Sequence, residues 1–239
     1  MIAAAPQLDR ARLLARIARR YTTVCQTIAA GPLQFDFHRI ADPDAVLNRL
    51  ADLERRHPAV VGPVHLPYWA QVWESSTALA DCLRGLHPVG PPVRDGESIL
   101  DLGCGMGLCG TVAAALGAGR VVMADCEPDA LLLARLNSLP FGNRVRVRRL
   151  DWNVDRIPDR FDTIVGADIL YDRPQWEGLH TFWMEQIKIG GKILLAEPGR
   201  SRADEFPQFA ADHGWVVHQQ TTQLVDSARR IRLIRLERG

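Results

Sequence analysis

A glycine-rich segment in the middle of the chain has the clearest chemical potential. Residues 99–107 (ILDLGCGMG) place an acid, Asp101, before three glycines at alternate positions, Gly103, Gly105 and Gly107. Glycine accepts a positive φ and lets a ligand approach the backbone closely. A loop of this kind between a strand and a helix indicates a site for a ligand that contains a nucleoside.

Two ligand classes compete for this loop. The run from Gly105 to Gly110 matches the dinucleotide fingerprint G-x-G-x-x-G, and Asp125 follows at about the spacing of a ribose-binding acid. This pattern favours NAD. Asp101 favours a different ligand, because a carboxylate at the end of a strand suits a cation better than a pyrophosphate. S-adenosylmethionine carries an ammonium and a sulfonium but no phosphate, so Asp101 favours it over NAD.

Alternating strands and helices must position the loop. The alternation begins after a Pro/Gly-rich connector, residues 88–96 (PVGPPVRDG). The predicted strands are 98–102, 120–125, 144–150, 161–167, 192–197, 215–221 and 230–237. The predicted helices run from the loop to about 116, from Pro128 to before Pro140, over 175–188 and over 203–213.

This order predicts an α/β fold with a doubly wound, seven-stranded sheet. Its ligand site should lie beyond the carboxyl ends of the strands. The sheet should be parallel except at its end, because the last two strands leave no room for a crossover helix and must form an antiparallel C-terminal hairpin. Arg and Val alternate over 144–150, which is typical of an edge strand with one wet face.

The first 66 residues are predicted to form an N-terminal helical extension, with breaks at Gly31-Pro32 and Pro43. Residues 7–21 repeat apolar positions at helical spacing around an Arg-rich face. Such a start also resembles an organellar transit peptide. Because Asp9 interrupts the pattern and the whole chain is rich in arginine, a helix packed on the domain is the favoured interpretation.

Composition excludes several function classes. The 239 residues are 47% hydrophobic and carry a net charge of only +1, which argues against a non-specific nucleic-acid binder. The longest apolar stretch, 99–118, contains Asp101 and several glycines, so no membrane span is expected. Five cysteines form no C-x-x-C pair and indicate reduced thiols in a cytoplasmic protein. The histidines have no metal-ligand spacing, so no metal is expected.

The order of an acidic strand end and then G-x-G-x-G resembles motif I of the class I S-adenosylmethionine-dependent methyltransferases. The C-terminal antiparallel hairpin is also similar to the end of that family's seven-stranded sheet. The resemblance implies that Asp125 binds both ribose hydroxyls. It also implies that Asp151 accepts a hydrogen bond from the adenine N6 and that Trp152 is its apolar neighbour.

A narrower resemblance covers about residues 65–200. Residues 65–80 (HLPYWAQVWESSTALA) are similar to the segment before motif I in the seven-β-strand protein lysine methyltransferases, including those acting on the electron-transfer flavoprotein β-subunit. This similarity implies that Trp73 lines the cofactor pocket. Residues 167–171 (ADILY) match the group's D-x-x-Y motif, which implies that Ala167 borders the cofactor and that Asp168 and Tyr171 are catalytic.

The resemblance divides the chain into two parts. Residues 67–239 are expected to form the methyltransferase domain. Residues 1–66 are expected to form the helical extension and are a candidate region for substrate recognition, and the resemblance does not reach the first 60 of them.

Each assigned residue also has a purely structural interpretation. Trp73 could pack a helix against the sheet, and Asp168 could cap the helix that begins near Pro174. Tyr171 could be a packing residue. Glu197 could border the acceptor pocket or merely cap its strand. Small buried cysteines suit the loop and its helix, so a catalytic thiol is not expected at Cys104 or Cys109.

The expected function is an S-adenosylmethionine-dependent N-methyltransferase that acts on a protein lysine. Since a lysine pKa is about 10.4, reaching the neutral amine at pH 7 costs roughly 4.6 kcal/mol. Asp168 is therefore expected to orient the acceptor rather than to deprotonate it. Two alternatives remain open: a small-molecule N-methyltransferase of the nicotinamide type, and a catalytically silent cofactor-binding protein.

Overall fold

The computed structural model describes residues 4–30, 33–56, 67–224 and 227–239. Helices are α1 Ala4–Ala18, α2 Pro43–Arg56, α3 Glu74–Leu83, α4 Leu108–Ala115, α5 Pro128–Ser138, α6 Trp176–Gln186 and α7 Phe206–Asp212. Strands are β1 Thr23–Ala30, β2 Leu33–Ile40, β3 Ser98–Leu102, β4 Arg120–Asp125, β5 Val145–Arg149, β6 Phe161–Ala167, β7 Ile187–Glu197, β8 Trp215–Gln223 and β9 Arg230–Arg238. No helix among these residues is long and apolar enough to cross a bilayer.

The main sheet has seven strands in the order β5-β4-β3-β6-β7-β9-β8. The pairs from β5 to β7 are parallel, and β9 is antiparallel to both of its neighbours. The predicted doubly wound sheet with a C-terminal antiparallel hairpin is confirmed. The Arg/Val strand β5 lies at the edge, as its alternation predicted.

Strand β7 begins five residues earlier than predicted, at Ile187 instead of Lys192. Ile187 pairs with Phe161, and the register then shifts before Thr163 pairs with Lys192. The helical pattern ends at Gln186, so the chain passes from α6 into the strand without a loop.

The N-terminal prediction is wrong in its middle part. Helices α1 and α2 form, but β1 and β2 between them make a two-stranded antiparallel hairpin. Phe35 and Phe37 alternate along β2 and are buried, while most of β1 is exposed. This period of two, with β-branched residues in β1, was the missed signal. The predicted break at residues 31–32 and the predicted helical stretch at 57–66, which includes His65, lie outside the described residues.

Alternate residues of each main strand face opposite helical layers. On one face, Ile99 and Val121 pack with α3, α4 and α5. On the other face, Leu100 and Val122 pack with α6 and α7. Both faces are covered, so every strand in the centre of the sheet is apolar on both sides. The fixed layers align the carboxyl ends of β3, β4, β6 and β7 along one edge.

The N-terminal hairpin packs on the outer side of α5 and is tied to the glycine loop through Asn137. This buried amide accepts the His38 N–H at 2.7 Å. It donates to the His38 carbonyl at 3.0 Å and to the Met106 carbonyl at 2.9 Å. The hairpin thus contacts the segment that carries the predicted ligand site. The division of the chain at residue 66 stays a prediction.

We expect Asn137→Leu to lower the free energy of unfolding by at least about 2 kcal/mol, because a leucine leaves one buried N–H and two buried carbonyls without a partner. Urea unfolding of the cofactor-free protein measures the effect. Asn48→Leu, at an exposed position of α2, is the control and should change stability by less than about 0.5 kcal/mol. Equal midpoints for the two variants would contradict the bridging role of Asn137.

Candidate active site

A cavity of about 660 Å³ opens at the carboxyl ends of β3, β4 and β6. This volume lies within the range of small-molecule and cofactor sites. Three acids line its wall: Asp101 lies near the end of β3, Asp125 ends β4 and Asp168 directly follows β6. Phe37 of the N-terminal hairpin also lines it. The predicted position of the ligand site is therefore the position of the cavity.

The three glycines of the loop have different roles. All have a positive φ, at 65° for Gly103, 52° for Gly105 and 84° for Gly107. Gly103 and Gly105 line the cavity, whereas Gly107 does not. A Cβ on Gly107 would lie 2.9 Å from the Met123 sulfur and 3.1 Å from the Ala134 Cβ. The third glycine thus permits close packing of the loop against β4 and α5, and its predicted contact with the cofactor stays a prediction.

Asp101 lines the cavity and is 2% exposed. One of its carboxylate oxygens accepts the Gly110 N–H at 2.8 Å, which joins β3 to the first turn of α4. Burial raises the pKa of Asp101 to about 7, although the Gly110 hydrogen bond opposes the rise. Asp101, which the sequence assigned to a cationic ligand, thus also stabilises the packing of α4 against β3.

Asp125 ends β4 and holds the loop from the other side. Its Oδ2 accepts the Gly105 N–H at 2.8 Å, and its Oδ1 accepts the Glu127 N–H at 2.9 Å. Burial raises its pKa. Each carboxylate oxygen retains further acceptor capacity. Since Asp125 also lines the cavity, its two oxygens can accept hydrogen bonds from two adjacent hydroxyl groups.

The two residues predicted to contact adenine are separated by the structure. Trp152 lines the cavity, and its buried indole N–H has no hydrogen-bond partner within the described part of the chain. Asp151 does not line the cavity. Its Oδ1 accepts the backbone N–H of Asn153 at 2.9 Å and the side-chain amide of Asn153 at 3.1 Å. The adenine contact of Asp151 stays a prediction, with its carboxylate engaged in a turn.

Three aromatic rings form the rim of the cavity. Trp73 lies just before α3 and donates its indole N–H to the Tyr68 carbonyl at 2.8 Å. The Tyr68 ring lies 6.2 Å from the rings of both Trp73 and Tyr171. Tyr68 is 50% exposed and Tyr171 is 39% exposed, so the rim faces solvent. Tyr68 was not predicted as a site residue, because the spacing of its segment does not say which aromatic side chain faces the cavity.

Asp168 follows β6 in an unusual backbone conformation. Its φ of 58° is positive, which no other non-glycine residue of the described ranges shows. Its backbone N–H donates to the Ala196 carbonyl at 2.7 Å. Left-handed conformations of such residues are costly and cluster at functional sites. The alternative of a helix cap is wrong, since Asp172 and Gln175 flank the helical turns that begin α6.

The Asp168 carboxylate is paired with Arg200, a residue that sequence reasoning missed. Two of the three guanidinium nitrogens donate to it, Nη1 and, at 3.1 Å, Nη2. Arg200 also lines the cavity. Burial raises the pKa of Asp168, and Arg200 opposes the rise. The sequence offered no signal for the pair, because 32 residues separate its members.

Glu197 holds Arg200 in place and does not line the cavity. Its Oε2 accepts the N–H groups of Gly199 at 3.0 Å and Arg200 at 3.1 Å. The Arg232 Nε of β9 lies 3.1 Å from Oε1. Of the two roles considered for Glu197, the structure supports the strand-end cap.

The family model described as "Lysine methyltransferase" matches residues 68–209, a range that contains every predicted site residue. The chain belongs to this lysine methyltransferase family. It is 32% identical over 142 residues to the electron transfer flavoprotein beta subunit lysine methyltransferase of Danio rerio, covering 58% of this chain and 53% of that relative. It is also 34% identical over 137 residues to EEF1A lysine methyltransferase 3 of Mus musculus, covering 55% and 56%.

This lysine methyltransferase family member spans between about half and three fifths of the length of such relatives. Its fold resembles magnesium protoporphyrin IX methyltransferase from Synechocystis PCC 6803, solved with bound SAH. The TM-score is 0.54 at 16% identity, over 82% of this chain and 98% of that one. At this identity the likeness concerns the fold, and it confirms the methyltransferase architecture that the sequence predicted.

The raised pKa of Asp101 predicts that the free energy of unfolding depends on pH. Its folded-state pKa is raised from 3.8 to about 7, so the folded state holds a proton that the unfolded state releases, and stability falls as pH rises through this window. Asp101→Asn cannot ionise. We expect its free energy of unfolding, relative to wild type, to increase by roughly 1–4 kcal/mol between pH 4 and 8.

Asp162→Asn is the control, because the pKa of Asp162 is lowered in the folded state and stability should therefore change with pH in the opposite direction. Burial raises the pKa of Asp162, but hydrogen bonds from Lys188 and Ser98 outweigh this and lower it to about 2. This variant should be less stable than wild type at neutral pH, with the deficit shrinking toward pH 2. Parallel pH curves for Asp101→Asn and wild type, measured by urea unfolding without cofactor, would contradict the buried and titrating Asp101.

Proposed function

We propose that this chain transfers a methyl group from S-adenosylmethionine to the side-chain nitrogen of a protein lysine. The observation that carries the proposal is one cavity with two chemically different walls. One wall has the glycine loop and Asp125, and the other has Asp168 below an exposed aromatic rim that includes Tyr171. The names of the relatives support a protein lysine as acceptor, and the electron transfer flavoprotein beta subunit is the first substrate to test.

The residues of the first wall fit the cofactor. Asp125 would bind the two ribose hydroxyls with the acceptor positions that the backbone leaves open. Gly103 and Gly105 allow close approach of the ligand to the loop. The indole N–H of Trp152, buried and without a partner, would give the adenine a polar neighbour. When bound, the cofactor supplies an electrophilic methyl group on a cationic sulfur.

The residues of the second wall would prepare the acceptor. Tyr68, Trp73 and Tyr171 surround the entrance with rings that exclude water from a long aliphatic side chain. Asp168 lies deeper and has a buried carboxylate that can orient the terminal nitrogen. Methyl transfer is an in-line displacement, so positioning and exclusion of water are the main tasks of the protein. The acceptor proton leaves to water before transfer, and Asp168 orients rather than deprotonates.

The five cysteines are all free, with Cys82, Cys104 and Cys109 buried. This arrangement supports our proposal of a cytoplasmic location, because reducing compartments preserve thiols. Burial raises the pKa of Cys104 and Cys109 well above the usual range, which supports packing roles over nucleophilic ones.

The function is tested with methyl-labelled S-adenosylmethionine and two acceptor preparations: purified electron transfer flavoprotein beta subunit and a lysate of the source organism. We expect a labelled protein whose label maps to lysine. Asp168→Asn, which keeps the size and loses the charge, should reduce turnover about tenfold to a hundredfold. A labelled small molecule would indicate the nicotinamide-type alternative, and no label with retained cofactor binding would indicate a silent binding protein.

Cofactor binding is tested separately through Asp125. Hydrogen bonds to a charged acceptor contribute about 1.5–3 kcal/mol each, so Asp125→Ala should weaken S-adenosylmethionine binding by roughly tenfold to several hundredfold. Calorimetry in the presence of EDTA measures it. Asp159→Ala is the matched control, because its carboxylate pairs with Arg120 at 2.7 Å and does not line the cavity, and it should retain affinity within about threefold. Unchanged affinity for Asp125→Ala, or competition by NADH, would contradict the assignment.

A further inference from the structure

Arg200 lies at the acceptor wall of the cavity but has no role in the proposed reaction as described above. Its side chain lines the cavity and is 35% exposed, while the side chain of its partner Asp168 is 8% exposed. The guanidinium covers the carboxylate with two hydrogen bonds, in the two-pronged geometry that fixes both groups. An acceptor nitrogen that approaches Asp168 therefore meets a carboxylate and a guanidinium together.

The loop around Arg200 holds this geometry in place. Gly199 has a φ of 71°. The Glu197 carboxylate accepts hydrogen bonds from the backbone N–H groups of Gly199 and Arg200. Arg232 from β9 anchors Glu197 in turn. Arg200 is thus mounted on the end of β7 through charged, buried contacts. An exposed surface ion pair has no such support.

A lone carboxylate at this place would oppose the reaction. A negative charge close to an amine favours its ammonium form, and the ammonium has no lone pair with which to attack. A guanidinium on the same carboxylate cancels most of this effect while leaving carboxylate oxygens available for orientation.

We propose that Arg200 is a positioning residue that holds Asp168 and cancels its charge, so that the lysine nitrogen at this wall reacts as a neutral amine. The inference rests on the proposed function and deepens it. It assigns the orientation of the acceptor to Asp168 and the suppression of its ammonium form to Arg200.

Besides Arg200, two charged groups of opposite sign act on the pKa of Asp168: Arg229 lowers it and Glu74 raises it. Glu74 of α3 pairs with Arg229 at 3.8 Å, and Glu197 pairs with Arg232. Asp125, Glu127, Asp172 and Arg202 also line the cavity. Burial raises the pKa of Tyr171, and the charges of Asp172 and Asp125 add to the rise. Removal of the Arg200 charge therefore leaves one additional uncompensated negative charge at the acceptor wall.

The kinetic test is the pH profile of kcat for Arg200→Gln, with the electron transfer flavoprotein beta subunit as acceptor and saturating S-adenosylmethionine. The profile of kcat reports groups in the bound complex. We expect the rising limb of this profile to shift toward higher pH by about one unit or more. Turnover should fall about tenfold at pH 7 but approach that of wild type at high pH.

Two further variants separate electrostatics from structure. Arg200→Lys keeps the charge and should restore most of the wild-type profile. Arg173→Gln removes an arginine that pairs with exposed Glu205 at 3.2 Å and should leave the profile unshifted. Melting temperature and affinity for S-adenosylhomocysteine check that each variant folds. A uniform loss of turnover with an unshifted limb in Arg200→Gln would assign Arg200 a merely structural role and overturn the proposal.

A binding measurement provides a readout that needs no turnover. n-Butylammonium mimics the lysine side chain, and its binding to the S-adenosylhomocysteine complex at pH 8 can be followed by NMR. Arg200→Gln should bind it about tenfold more tightly than wild type, in line with the expected shift of about one pH unit, because the Asp168 charge is no longer neutralised. Equal or weaker binding would overturn the proposal. Failure of the proposed function is distinct, since it would appear as absent methyl transfer by the wild-type protein.

Discussion

Burial of carboxylates at the carboxyl ends of adjacent strands is the constraint on which the site depends. A charge removed from water is tolerated only when hydrogen bonds or an opposite charge compensate it. Asp125 and Glu197 obtain this compensation from backbone N–H groups of the loops beside their strands, and Asp101 obtains part of it from the Gly110 N–H in the first turn of α4. Each acid therefore shapes the loop beside it, and the loops together form the cavity.

The same constraint divides the cavity into two electrostatic environments. On the side of Asp125, backbone donors satisfy the acid and leave acceptor positions for neutral hydroxyl groups. On the side of Asp168, a guanidinium satisfies the acid and balances its charge. A cofactor with a ribose and an acceptor with an amine make different demands, and these two environments match them.

The N-terminal region participates in this arrangement through packing. Asn137 connects the hairpin to the glycine loop with three buried hydrogen bonds, and Phe37 reaches the cavity wall. Tyr21 of the same region packs edge-on against Trp69, the neighbour of the rim residue Tyr68. The N-terminal region, which lies outside the matched residues 68–209, thus packs against both the glycine loop and the aromatic rim of the site.

The sequence by itself determined the sheet, its C-terminal hairpin and the strand-end positions of Asp101, Asp125 and Asp168, because apolar periodicity and glycine spacing act over a few residues. Only the tertiary structure decided that Gly107 packs closely against β4 and α5, that Asp151 accepts hydrogen bonds from Asn153 and that β1 and β2 pair between α1 and α2. It also decided the pairing of Asp168 with Arg200 and the place of Tyr68 at the rim. These features depend on which side chains from separate strands and loops meet at one edge of the sheet. Local spacing cannot encode such contacts, because they arise only when the strands assemble in an order that differs from their order along the chain.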